Sequence, residues 1–267
     1  MNEGWTMERG VPIRAISRAI SVLSAINRSG SATMMEISKS ASIPYPTASR
    51  IVQTLLHEGL IERELSRKRY RPTALVKTLS VGFQSEDQLV VAARPHIEAL
   101  CNDLKWPISV ATRVGTRMMV RDSTHKLTSL TFSNYYPGFT LPIADCATGK
   151  VYLAFCNDAE REAIIAGWRA TDNETSKQGL LIVRDNSVLD RIRGDHYALQ
   201  LRNLYNAEPG KTSSMAVPIF GKDDELVGSL GVIYFFSALK AEAAVAQFLE
   251  PLHKTALAIQ DQLKKIS

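Results

Sequence analysis

Cysteine is scarce: Cys101, Cys146 and Cys156 are the only three in 267 residues, and no two have C-x-x-C spacing. Such a set argues against a disulfide framework and a cysteine zinc cluster, and points to a reducing compartment, the cytoplasm. No apolar run approaches the ~20 residues that a membrane-crossing helix needs, so no membrane partner is expected. Glu3, Glu8, Arg9, Arg14 and Arg18 break up the first twenty residues, which therefore do not read as a secretion signal. Also missing are G-x-S-x-G, H-E-x-x-H and the P-loop, and Gly228 and Gly231 are not part of a G-x-G-x-x-G. His57, His96, His125, His196 and His253 are scattered and form no local metal motif. No catalytic residue, metal or cofactor is assigned from these patterns.

Charge is abundant but uneven. Residues 1–80 hold 12 Lys+Arg and 6 Asp+Glu, a net of +6. Residues 81–267 hold 20 and 21, a net of −1, so the whole excess of +5 lies in the first third. A small basic unit joined to a larger neutral one suggests a polyanion-binding module carrying something else. The plainer reading is a solvated basic surface.

Periodicity orders the basic third. Ile13, Ile16, Ala19, Ile20, Leu23 and Ile26 have the 3, 4 and 7 spacing of one helix face, ending near Gly30. Thr33 with Glu36 three later resembles a capping box opening a short helix to Ala41, with Met34, Ile37 and Ala41 inward. Ser42-Ile43-Pro44 is a turn, and Pro46 suits the first position of a third helix running to His57. Ala48, Ile51, Val52, Leu55 and Leu56 form its inner stripe. Tyr45, Thr47, Ser49, Arg50 and Gln53 fall on the other side, and these types reach phosphates and base edges. Leu60–Arg63 and Arg69–Arg71 read as two strands around a basic turn that carries Arg67, Lys68 and Arg69. Three helices and a basic hairpin predict a winged helix-turn-helix over residues 1–72, with the third helix in the major groove of duplex DNA and Arg67, Lys68 and Arg69 of the wing on its backbone or minor groove. The alternative is a three-helix protein–protein module with an incidental basic loop.

Residues 73–88 predict a linker helix, and residues 89–267 an α+β unit: strand pair, helices, strand pair, helix. Helices are expected over Leu89–Leu104, Asp145–Phe155, Asp158–Gly167, Val188–Asp195 and Ala238–Lys265. Strands are expected at 108–112, 118–121, 127–132, Ser213–Phe220 and Leu226–Phe235.

Several stretches carry a family likeness over nearly the full length. "RAISRAISVLSAI", "IPYPTASRIVQTLLHEGLIER", "ARPHIEALCNDL", "LPIADCATGKVYLAF" and "SSMAVPIFGKDDELVGSLGVIYF" together resemble the IclR family of bacterial transcriptional regulators. "WPISVATRVGTRMMVRDSTHK" looks like the branch that controls aromatic-acid catabolism, whereas Tyr45-Pro46 departs from the small polar or basic residues that more often open the reading helix. The resemblance implies a homodimer or a pair of dimers on a near-palindromic operator. It also implies a GAF-like C-terminal domain that binds a small organic acid. The effector would lie near the helix starting around Asp145, with the amides of Cys146, Ala147 and Thr148 facing a carboxylate. Ser214, Met215 and Ala216 would line the sheet side, and Trp106, Tyr135, Phe139 and His125 are candidates for the remaining walls. The plain reading of the aromatics is core, and that of Cys146 a small buried residue rather than a thiol sensor.

Three function classes follow: a ligand-controlled DNA-binding regulator, an enzyme with an unrecognised small-molecule site on the α+β unit, and an architectural DNA-binding protein. The 187 residues after position 80 are more than DNA binding alone requires, which favours the first over the third.

Overall fold

Ile26, Ile37, Ala48 and Val52 are fully buried together, and three short helices assemble around them. The computed structural model describes residues 13–64, 67–81, 87–130, 135–171, 173–205 and 209–266. The chain divides into two compact units that meet in sequence between residues 84 and 85.

In the first unit α1 spans Arg14–Ser29, β1 Ala32–Thr33, α2 Met34–Ala41, α3 Tyr45–His57, β2 Ile61–Arg63 and β3 Arg69–Pro72. The capping box is present: Thr33 Oγ1 accepts from the Glu36 N–H, and a Glu36 carboxylate oxygen accepts from the Thr33 N–H at 2.8 Å. Ser42 takes a left-handed conformation, and Ser38 Oγ donates to Ile43 O at 2.7 Å, which fixes the turn into α3. Ile13, Ile16 and Ile20 of α1 are 64%, 55% and 61% exposed, and the buried residues are Val22, Ala25 and Ile26. The stripe read from the sequence is therefore split: Ile13, Ile16 and Ile20 at its start face outward, whereas Leu23 packs against the core and Ile26 lies in it. The wing is also larger than a hairpin. Its sheet has the order β1-β3-β2, with Ala32 paired to Tyr70 and Thr33 to Arg69. After the wing, Ala74–Ser80 forms a 3-10 helix in place of the expected α-helix. Thr73 Oγ1 accepts from the Leu75 N–H and donates to Gly59 O at 2.6 Å.

The second unit is α4 Asp87–Leu104, β4 Ile108–Val114, β5 Arg117–Ser123, β6 Thr140–Pro142, a 3-10 turn Ile143–Asp145, α5 Ala147–Phe155, α6 Asp158–Arg169, α7 Glu174–Arg184, α8 Ser187–Asp195, β7 Ala198–Gln200, β8 Thr212–Phe220, a 3-10 turn Lys222–Asp224, β9 Leu226–Phe235 and α9 Ala241–Ile266. The strands form one antiparallel sheet in the order β6-β5-β4-β9-β8-β7. No strand forms over 127–130, and the rest of that expected strand lies outside the described residues; β6 is the edge strand instead.

Helices cover both faces of this sheet. Side chains alternate along β8 and β9 with the period of two that a pleated strand imposes. Met215, Val217 and Ile219, with Leu230, Val232 and Tyr234, pack toward α4 and α9 around Phe248 and Leu252. Ala216 and Ile233 turn the other way, toward α5 through α8, into a core that holds Val151, Leu153, Ile164 and Trp168. Both faces are covered, so β8 is buried along nearly its whole length.

Candidate DNA-reading face and effector cavity

In the first unit the buried stripe of α3 is Ala48, Val52 and Leu55. Facing away are Tyr45, Arg50 and Gln53, all exposed, with Thr47 and Ser49 half-buried at the same end. Pro46 sits in the first turn, where its missing N–H leaves nothing unsatisfied. A groove of about 640 Å³ runs between α1 and α3, with Thr47, Arg50 and Gln53 on one wall and Arg18 on the other. Arg18 is not among the DNA-reading residues expected from the sequence, because its α1 spacing marks only a polar face; the fold places it across the groove from Arg50.

The wing cations differ among themselves. Arg67 and Lys68 are exposed at the turn. Arg69 is held inward: its Nη2 donates to Ser31 O at 2.8 Å and pairs with Glu36 at 3.0 Å, and its Nε donates to Ser31 Oγ. Arg71 pairs with Glu62 at 2.5 Å. Arg69 therefore ties the wing to the start of α2.

In the second unit the first turn of α5 lies hard against the sheet. Ser229 Oγ donates to Thr148 O at 3.0 Å. Gly231 makes room: a Cβ there would stand 3.1 Å from Thr148 Cγ2. Gly149 is tighter still, since a Cβ there would lie 2.1 Å from Ile143 O. Between this turn and the sheet is a cavity of about 20 Å³. Tyr135, Cys146 and Thr148 line it from above and Ser214 from β8, so four expected residues come together. Ser109, Met118, Val120, Leu141 and Ile233 also line it, and the sequence marks them only as strand or loop. Such a volume holds about one water.

The chemistry inside is polar at one end. Cys146 donates its S–H to Pro142 O at 3.3 Å and accepts from Thr148 Oγ1 at 3.5 Å. Burial pushes this thiol up to about 11, so near neutral pH it stays protonated and is a poor nucleophile. Burial likewise pushes the Tyr135 hydroxyl upward, with the nearby Cys146 acting in the same direction, so it stays a neutral donor.

The other expected wall residues go elsewhere. Met215 points to the opposite face of the sheet, as strand alternation requires of the neighbour of Ser214. Trp106 is on that same opposite face, with its ring 6.5 Å from Tyr234 and 6.0 Å from Phe235 in edge contacts. Ala147 and Ala216 are buried in the correct layer without lining the cavity. Phe139 packs on Tyr135 at 5.3 Å and backs that wall. His125 is half-buried in the turn after β5, its backbone N–H donating to Ser123 Oγ. Asp145 ends the 3-10 turn, and Cys146 takes the N-cap position of α5 without a side-chain capping bond. Burial raises the Asp145 carboxyl, partly offset by Lys150, and its main-chain oxygen accepts from Asn203 Nδ2 at 2.9 Å. Among the described residues no group of three or more His, Cys, Asp or Glu could hold a metal ion, and no helix is long and apolar enough to cross a membrane.

Residues 83–261 match the family model for the bacterial transcriptional regulator IclR C-terminal domain, and residues 15–65 match that for the IclR helix-turn-helix domain. The chain is 24% identical over 267 residues to the HTH-type transcriptional regulator XynR of Escherichia coli (strain K12), covering 94% of this chain and 97% of that one. It is 22% identical over 260 residues to the DNA-binding transcriptional repressor YiaJ of the same organism, covering 96% and 90%. Among solved structures, the Thermotoga maritima IclR superposes with a TM-score of 0.63 at 16% identity, covering 95% of this chain and all of that one. An IclR homolog from Microbacterium hydrocarbonoxydans, complexed with 4-hydroxybenzoate, gives 0.63 at 18% identity, covering 94% and 99%. With a helix-turn-helix in the first unit and an α+β sheet domain in the second, both matched, the chain belongs to the IclR family of transcriptional regulators.

Proposed function

We propose that this regulator controls a catabolic operon in response to an aromatic acid. Residues 1–72 read the operator, 73–88 link, and 89–267 hold the effector. The observation that carries the effector half is the gathering of Tyr135, Thr148 and Ser214 around one enclosed cavity at the start of α5. A helix start offers unpaired N–H groups to a carboxylate, and Thr148 and Ser214 add hydroxyls. Tyr135, backed by Phe139, supplies an aromatic wall. At its present size the cavity admits an aromatic ring only if that wall moves outward, so binding and a change of shape are coupled. The related protein that carries 4-hydroxybenzoate supports this class of ligand. The test is a gel-shift assay at fixed salt on the DNA upstream of the chain's own gene. A shift altered by 4-hydroxybenzoate and not by pyruvate is the expected result; the reverse order would remove the aromatic assignment.

On the DNA side, Tyr45, Thr47, Ser49, Arg50 and Gln53 form the reading surface in this proposal, and Arg67 and Lys68 meet phosphates. Neutralising Arg67 and Lys68 together is expected to weaken binding about equally on all sequences. The slope of log K against log salt should flatten by about one unit per lost contact. An unchanged slope returns both residues to a solvated loop.

One reading helix covers only a few base pairs, so useful specificity needs two half-sites and hence a homodimer, or a pair of them. Ile16 and Ile20, with Leu79 at 67% and Val81 at 59% exposed, are apolar side chains that association would cover. Replacing Ile16 and Ile20 by aspartate is expected to shift sedimentation at micromolar concentration toward monomer. A distribution unmoved by both changes would rule out this face.

A further inference from the structure

At the end of the sheet that carries the β8–β9 turn, a cleft of about 560 Å³ opens in the second unit. It shares no residue with the interior cavity. One wall is apolar: Leu89 from the first turn of α4, Leu226 and Val227 from β9, and Leu263 from the last turn of α9. The other is polar, with Arg113 from β4, Tyr152 from α5 and Glu160 from α6. Lys222 and Glu225 stand on the turn.

The charges in this cleft are not all matched. Glu160 is committed, because Oε1 accepts from the Tyr152 hydroxyl at 2.7 Å and faces Arg113 Nη2 at 3.3 Å. Burial first, and then that hydrogen bond, pushes the Tyr152 hydroxyl upward, so it remains the donor. Arg113 lies over the Tyr152 ring at 5.9 Å and donates from Nη1 to Gly115 O at 3.3 Å. Its buried Nε has no acceptor among the described residues. A guanidinium offers five N–H donors in a planar fork, and those of Arg113 are only partly used. Buried donors are rarely left so in folded proteins. The Lys222 ammonium is exposed at the mouth.

We propose that this cleft is a second small-molecule site, for an organic acid whose carboxylate is taken by Arg113 and Lys222 and whose apolar body lies on Leu89, Val227 and Leu263. Its volume is in the range of small-molecule pockets, and apolar walls with a few convergent polar groups are their usual make-up. Arg113 suits a carboxylate because its fork matches the two oxygens. Glu225 at the rim opposes a second negative charge, which selects a monocarboxylate. The site borders the first turn of α4, where the chain enters this unit from the linker. It also shares α5 with the interior cavity, since Thr148 and Tyr152 lie one turn apart on that helix. The inference does not rest on the effector reading given above.

The two sites have separate reporters. With methyl-labelled full-length protein, benzoate is expected to shift the methyl resonances of Leu89, Val227 and Leu263 saturably. Acetate and benzyl alcohol should each do so far more weakly, since each supplies only half of the ligand. Arg113→Lys should weaken the benzoate response about tenfold, and Lys222→Ala, at an exposed position that does not bear on folding, about threefold. Ser214→Ala should leave it unchanged. Shifts confined to Val120, Leu141 and Ile233 would assign benzoate to the interior cavity alone and overturn the proposal. So would cleft shifts that neither Arg113→Lys nor Lys222→Ala weakens.

Discussion

Replacing Arg50 by alanine is expected to weaken binding to the specific operator by tenfold to a hundredfold or so, with a much smaller loss on unrelated DNA. A good contact to a base edge discriminates by ~1–3 kcal/mol, whereas phosphate contacts act alike on every sequence. Arg50 sits in the second turn of α3, on the side away from the buried Ala48, Val52 and Leu55, and its side chain is exposed. Alanine favours the helix at least as well, so the fold is not at stake. Fluorescence anisotropy on the operator and on a scrambled duplex, at one salt concentration, separates the two effects. Equal losses on both duplexes would move Arg50 from base reading to a phosphate.

The largest expected loss of stability comes from a single methyl group. A Cβ on Gly149 would lie 2.1 Å from Ile143 O, 2.6 Å from its Cα and 2.7 Å from its carbonyl carbon. All three are backbone atoms, so no flexible side chain can swing aside. Overpacking a core typically costs 1–3 kcal/mol, and a clash with main chain falls at or above the top of that range. Alanine gains about 1 kcal/mol in helix propensity over glycine, which does not offset the clash. At roughly 2–4 °C per kcal/mol for a domain of this size, Gly149→Ala should melt about 5–10 °C lower. Gly194, in α8, is the control: a Cβ there meets nothing within 4 Å, so its alanine variant should melt no lower than the parent. Calorimetric scans that gave the two variants the same melting temperature would mean that the start of α5 can lift off the 3-10 turn. The cavity floor would then be soft.

Long elements with one clear stripe were legible in the sequence. Thr33 and Glu36 announced α2, and Pro46 announced the start of α3, to within a residue. The β8–β9 pair was equally clear, because Gly221-Lys222-Asp223-Asp224 marks its turn. The facing of α1 was not legible, because Ile13, Ile16 and Ile20 are as apolar as Val22, Ala25 and Ile26, and composition does not say which of them meet the core. Two residues of β1 are too few to show any period, so the third wing strand was invisible, and so were the pairs of β7 and the helix α7. The site was half legible. Tyr135, Cys146, Thr148 and Ser214 do meet. Met215 could have been rejected at once, since neighbours on a strand cannot share a face. Trp106 could not, because the face it takes depends on how the chain after α4 reaches β4.

The clamp on Arg69 bears on the thermodynamics of recognition. A hairpin that wavers in the free protein must be ordered when DNA arrives, and that entropy is subtracted from affinity. Here β3 is stitched to β1, and Arg69 is fastened to Ser31 and Glu36, before any DNA is present. The wing is preorganised, so if its tip meets phosphates as proposed, more of that interaction energy reaches the complex. The cost moves to folding, and so does a vulnerability. Loss of the Glu36 carboxylate, on a helix with no assigned contact to DNA, would remove one of the three ties on Arg69 and leave the two to Ser31, so it would loosen the wing rather than free it.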